Sequence, residues 1–251
     1  MNTSTFFPKE WSISNYMKLF HPDSVSQFPQ WFLNTFIIAC FTCAISTMFV
    51  LMVAYATSVM RFKMRKPLMN MAVILNLFPG MLAMIAVYFT LKSFNLTNSY
   101  AGLIMVYSAS SGLGYLIAKG FFDTVPRALC EAARIDGAGP ITVLLKVYLP
   151  ISLPALATVG LFAIVNHWND YFSGLIYMSK ASMYPLQTYI QQLTVDLTQI
   201  TDADQLKQLS ALNNRSFNAA KIVVSTIPLL IIYPFLQKYF VTGMVIGAVK
   251  E

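Results

Sequence analysis

DTVPRALCEAARIDGAGPITVLLKVYLPISLPAL, residues Asp123–Leu156, is short, charged and punctuated by glycine, and it lies between two long apolar stretches. Thr124 is placed to cap a helix whose first turn accommodates Pro126. That helix runs through Arg127, Glu131 and Arg134, with Arg127 and Glu131 one turn apart and able to pair. Ala128, Ala132 and Ala133 make part of its surface small. Gly137 follows Asp136 where a left-handed residue ends a helix, and Gly139-Pro140 stops it from continuing straight on. The segment therefore predicts a compact helix and a forced turn, and then an apolar helix that restarts with Leu149-Pro150. A small-faced helix with a charged rim has the shape to sit in a groove of a soluble partner, and movement of that groove would pass through the turn to the helix beyond.

The sequence around this segment is built for lipid. Of the 251 residues 57% are hydrophobic and 11% are charged, and the mean hydropathy is +0.60. Those values describe an integral membrane protein. From Trp31 to Met60 there is no charged residue, enough for a first span. It ends in the basic cluster Arg61, Lys63, Arg65 and Lys66, in the kind of short loop that fixes orientation, so this end is expected in the cytoplasm. A second span, Pro67 to Leu91, holds Asn76 and the breaker pair Pro79-Gly80, expected to loosen it near mid-depth. A third, Ala101 to Ala118, holds a run of small residues from Ser108 to Gly114 that suits close helix packing. The fourth begins near Val147 and ends near Trp168, and the last runs from Asn218 to Phe240. The fold class is thus all-α, a polytopic transmembrane bundle of about five spans. Ten of the seventeen Lys and Arg residues fall on the cytoplasmic side of this arrangement, with the N-terminal segment 1–30 outside and the C-terminus inside. A start outside the membrane with no signal sequence points to an additional upstream helix in the natural protein.

The stretch 177–217 between the last two spans is longer than most connections. Within it, residues 201–212 are expected to form a short surface helix. The net charge of +7 is spread over the ends of apolar segments rather than gathered on one face, which argues against nucleic-acid binding. Cys40 and Cys43 form a CxxC pattern inside lipid-phase sequence with no second pair, so they are read as packing residues. No GxxxxGK[ST] pattern is present, so ATP work belongs elsewhere. A secondary transporter would carry inverted repeats and ionisable groups at mid-depth, and an intramembrane enzyme would carry a catalytic cluster; His21 and His167 are far apart with none beside them. His167 and Asp170 fall near the water boundary.

The spacing E-A-A, then D-G-A, then L-P resembles the EAA loop of permease subunits of binding-protein-dependent ABC importers, and EAARIDGAG…LP…P is similar to the carbohydrate branch, the maltose-type permeases. Asn166 to Tyr171 followed by Tyr184-Pro185-Leu186, and the C-terminal GMVIGAVKE, are similar to the same relatives. The resemblance implies a permease of the type I importer kind in the bacterial inner membrane, paired with a second permease, a heterodimer in the first instance. It implies an ATP-binding cassette ATPase dimer carrying ATP and Mg, an extracytoplasmic solute-binding protein that delivers a carbohydrate, and a chain that is itself neither an enzyme nor a cofactor carrier. Glu131, Ala132, Ala133, Asp136 and Gly137 would then couple to the ATPase, with Arg127 and Arg134 on the charged rim. Asn76, Asn166, Trp168, Asn169 and Tyr171 are the candidates for the sugar path, since sugars are bound by aromatic faces and hydrogen-bonding side chains. The long outer stretch would meet the binding protein. Leu144 departs from the Phe of many relatives, and the usual first membrane helix is missing. A non-sugar solute such as a peptide or polyol is the alternative cargo.

Overall fold

The structure is a computed structural model and describes residues 12–21, 27–110, 112–195 and 215–248. Among the described residues there is no strand. Three helices are long and apolar enough to cross a membrane, and two bent helix pairs raise the number to five if each pair is one span.

A short helix α1 (Ser14–Phe20) precedes α2 (Phe28–Val59), the central helix of the bundle. Pro29 lies in the first turn of α2, where its missing N–H has no partner to lose. Leu19 and Phe28 are fully buried with Trp31, Leu186, Tyr189, Phe217, Ala220 and Val224 in one outer cluster.

The second span is broken outright rather than loosened. α3 (Arg65–Leu77) and α4 (Gly80–Ser93) meet at 103°. Phe78, which precedes Pro79, is extended at ψ 129°, as clash with the proline ring requires, and Pro79 is extended as well. The third span is also bent, by 49°, between α5 (Tyr100–Ala109) and α6 (Gly112–Phe122). Ser99 caps α5, its hydroxyl accepting the Gly102 N–H at 3.0 Å. The small-residue run does give close packing: a Cβ on Gly114 would stand 3.1 Å from side-chain carbons of both Val50 and Val159.

After α7 (Arg127–Ile135), the fourth span begins earlier than expected. α8 (Pro140–Val143), a π-helical turn (Leu144–Tyr148) and α9 (Leu149–Asn169) follow without interruption, so Pro140–Asn169 is one 30-residue helix. Pro150 cannot donate to the carbonyl four residues back, and the helix widens ahead of it: the Leu149 N–H reaches Leu144, five residues back. α10 (Phe172–Tyr177) packs against α4 and α5, and α11 (Leu186–Val195) folds over the end of α2 that carries Trp31. α12 (Arg215–Ala248) closes the chain and carries Pro228 and Pro234 inside it. It continues past the expected end at Phe240. The surface helix expected at 201–212 lies outside the described residues.

Candidate coupling site and transport path

At the end of the bundle that carries α7, here called the inner end after the sequence expectation, Val50, Ala54 and Tyr55 of α2, Ala118 and Phe122 of α6, Cys130 of α7, and Val143 and Tyr148 of the long helix form a buried cluster with Leu156 and Val159. Cys130 plants α7 in this cluster, and Ala133 packs against its edge. The remainder of α7 is open: Arg127, Ala128, Glu131, Ala132 and Arg134 are exposed, Leu129 is 44% exposed and Ile135 is 87% exposed.

Two details of α7 differ from the sequence expectation. Pro126 takes the N-cap position, and no side chain caps the helix. The Thr124 hydroxyl instead donates to the Phe121 carbonyl at 2.7 Å. Arg127 and Glu131 do not pair; among the described residues the one ion pair is Lys119 with Asp123, one turn apart.

The end of α7 is as the glycine requires. Gly137 has φ +82°, Asp136 is the C-cap, the Gly137 N–H donates to Arg134 at 3.0 Å and the Ala138 N–H to Ala133 at 2.9 Å. Those two bonds are the Schellman pairing, and Ala138 and Ala133, both against the inner cluster, supply its hydrophobic contact. Pro140 opens the next helix two residues on. Tyr55, which sequence reasoning missed, fastens this junction from α2: its hydroxyl donates to the Pro140 carbonyl at 3.0 Å, and its ring meets Tyr148 edge-on at 5.3 Å.

The candidate path residues do not gather at one place. Asn166 and Asn169 are exposed on the α9 face that also carries Phe162, and Tyr171 beyond it is 39% exposed. Trp168 points the other way. It is 2% exposed, donates to the Ser225 carbonyl at 2.9 Å and meets Phe32 edge-on, so its indole joins α9 to α12 and α2 and offers no ring face to a ligand. Asn76 is exposed near the end of α3, its amide bonded to the Ala72 carbonyl. The Asp170 carboxylate accepts the Phe172 and Ser173 N–H groups and so caps α10. His167 stacks on Tyr107 at 4.3 Å. Cys43 packs as expected, its thiol 3.6 Å from the Gly160 carbonyl, whereas Cys40 is exposed on the outside of α2.

The outer end holds a second residue that sequence reasoning missed. Asn34 is fully buried. Its amide donates to the carbonyls of Ser182 and Tyr184, and its oxygen accepts from Gln30 and from the Tyr100 hydroxyl at 2.7 Å. Trp31 donates to the Ala181 carbonyl, and Thr35 accepts the Leu186 N–H. Asn98 accepts from Ser179 and Lys180. Burial pushes the Tyr189 phenol up to about 12, so the ring stacked on Trp31 stays uncharged. The part of the long outer stretch that the structure describes is therefore strapped to α2 and not loose.

Residues 46–246 match the family described as the binding-protein-dependent transport system inner membrane component. The chain belongs to this family. The permease is 36% identical to the protein LplC of Bacillus subtilis (strain 168) over 97% of this chain and 81% of that one. It is 33% identical to the polygalacturonan/rhamnogalacturonan transport system permease protein YtcP of the same organism, over 97% and 83%. Among solved structures it is similar to a chain of a bacterial ABC transporter involved in the import of the acidic polysaccharide alginate, with 28% identity, a TM-score of 0.77, and coverage of 90% of this chain and 79% of that one. The permease is thus an inner-membrane, all-helical component of a binding-protein-dependent importer.

Proposed function

We propose that this permease carries a carbohydrate, an oligosaccharide, across the inner membrane, driven by a separate ATPase that grips α7. The observation that carries the reading is the junction of α7 to the long helix: α7 is open on its outer side, ended by a Schellman turn at Gly137 and followed at once by the helix Pro140–Asn169. An ATPase dimer that moves α7 would tilt that helix, and Asn166 and Asn169 would move with its far end. ATP and Mg belong to the ATPase. A second permease completes the path, and an extracytoplasmic binding protein delivers the sugar to the outer end. The basic cluster Arg61 to Lys66 supports a cytoplasmic placement of α7 and the C-terminus. Sugar as cargo is supported by the polysaccharide transport named for YtcP and for the alginate importer.

Two measurements test this. Ile135→Asp places a charge in the exposed apolar edge of α7; the variant should fold and insert normally but lose most binding-protein-stimulated ATP hydrolysis in the assembled importer. Full stimulation in that variant removes α7 as the ATPase contact. Titrating the importer's binding protein with galacturonan fragments, maltodextrins, peptides and polyols tests the cargo, and tight binding of a peptide in place of any sugar would overturn the carbohydrate assignment.

A further inference from the structure

The inner end of the permease contains a cavity of about 820 Å3 walled by the end of α2, the start of α3, the end of α6 and α7. Six cationic side chains line it: Arg61, Arg65, Lys66, Lys119, Arg127 and Arg134. Against them stand two carboxylates, Asp123 and Glu131, and Asp123 is already paired with Lys119. The orientation rule needs these cations on one side of the membrane, but it does not need them around one cavity, drawn from segments some sixty residues apart. Six cations against two carboxylates leave the cavity net positive, which favours an anion. Val59, Met69 and Phe122 add apolar surface to the lining. Phosphate chemistry suits the cations, which offer forked and point-charge donors. That apolar surface, lying at the ends of membrane-crossing helices, suits a glycerol backbone and the first carbons of acyl chains.

We propose that this cavity binds the phosphate headgroup of an anionic phospholipid of the cytoplasmic leaflet, as basic pockets between membrane helices do. The proposal rests on the cytoplasmic placement of this face given above, but it does not depend on how the ATPase is coupled. A lipid seated here touches both the loop after α2 and the α7 helix, so it steadies the position of α7.

The full-length chain in detergent is titrated with dioleoylphosphatidylglycerol or dioleoylphosphatidylcholine and read by native mass spectrometry, with no transport measurement involved. The wild-type chain should retain phosphatidylglycerol at concentrations that leave no phosphatidylcholine bound, and the retention should fall as salt rises. R61Q/R65Q/K66Q, which leaves α7 untouched, should weaken it by at least about tenfold, since each basic residue near an anionic headgroup is worth roughly a fivefold change in affinity. The charge-preserving R61K/R65K should keep most of the retention, and K92Q/K180Q, in the last turn of α4 and the loop after α10, should keep all of it. If the triple glutamine variant does not give the wild-type melting curve, R65Q alone, with about a fivefold loss expected, carries the comparison. Equal retention by wild type and the glutamine variants overturns the proposal. So does displacement of the lipid by inorganic phosphate without preference for phosphatidylglycerol, which makes this a free-anion site. A triple glutamine variant that keeps its lipid but loses the co-purifying ATPase also overturns it, in favour of protein docking. If lipid retention behaves as expected while Ile135→Asp leaves ATP hydrolysis intact, the coupling reading fails and this one stands.

Discussion

Gly137 shows what one residue contributes when the backbone is the whole argument. A Cβ added there would meet nothing within 4 Å, yet its φ is +82°, so a side chain is opposed by conformation and not by space. Gly137→Val should cost roughly 1–2 kcal/mol at the turn and lower cargo-stimulated ATP hydrolysis and uptake together; unchanged coupling in the assembled importer would show that the turn transmits nothing. This residue was legible in the sequence because its requirement is local: the Asp136-Gly137 pair after a short helix needs no distant partner to be recognised. Trp168 was legible only as an aromatic at a span end. Its partner, Ser225, lies 57 residues away, and no pattern near Trp168 says which way the indole turns. Glu131 and Arg127 have the right spacing to pair and do not, because exposed partners gain little from holding two long side chains in one geometry.

At the scale of elements, proline decides two outcomes that hydropathy leaves open. Pro79 forces extended backbone before itself and turns the helix pair through 103°, whereas Pro150 is absorbed by one widened turn and the helix runs through it. Residue type is the same in both places. The difference is the extended pair Phe78-Pro79 with Gly80 behind it, against a Leu149-Pro150 step that keeps helical angles on Leu149. Helix existence was therefore legible, and the start of the fourth span at Pro140 was not. Close packing at Gly114 was legible from the small-residue run, although its partners Val50 and Val159 were not. Gly114→Val should destabilise the permease by about 1–3 kcal/mol, read as a lower melting temperature in detergent, because side chains 3.1 Å from the new Cβ on two different helices must both yield. A melting temperature equal to that of the wild type would mean that α6 moves aside freely.

For the whole molecule, the buried residues divide by position, with one cluster around Tyr55 and Tyr148 at the inner end and others around Trp31 and around Ile38, Leu103 and Tyr177 at the outer end. The outer groups are joined by Asn34, whose hydrogen bonds tie residues 182–184 and Tyr100 to α2. Asn34→Ala should cost roughly 1–3 kcal/mol for each buried partner left unsatisfied and, in detergent, expose the 177–190 segment to proteolysis while cleavage at α7 stays at the wild-type level. Cleavage at both ends alike would show that the chain opens as a single unit. Charge-free length marked the apolar segments, three of them long enough to cross a membrane and five if each bent pair is one span, but the strapping of the 177–190 segment was not legible, since Asn34 sits in an apolar run where one amide looks incidental.

The helix Pro140–Asn169 has 30 residues, which at the usual rise is about 45 Å of rod. It is tethered at its inner end by the Tyr55 hydrogen bond to Pro140. Pivoted at that tether, a rotation of about five degrees carries the Asn169 end through about 4 Å over such a length. Asn166 and Asn169 sit at the far end of that arm, so on the proposed coupling a displacement of α7 small enough to leave the cluster around Tyr55 packed would be multiplied at those two side chains.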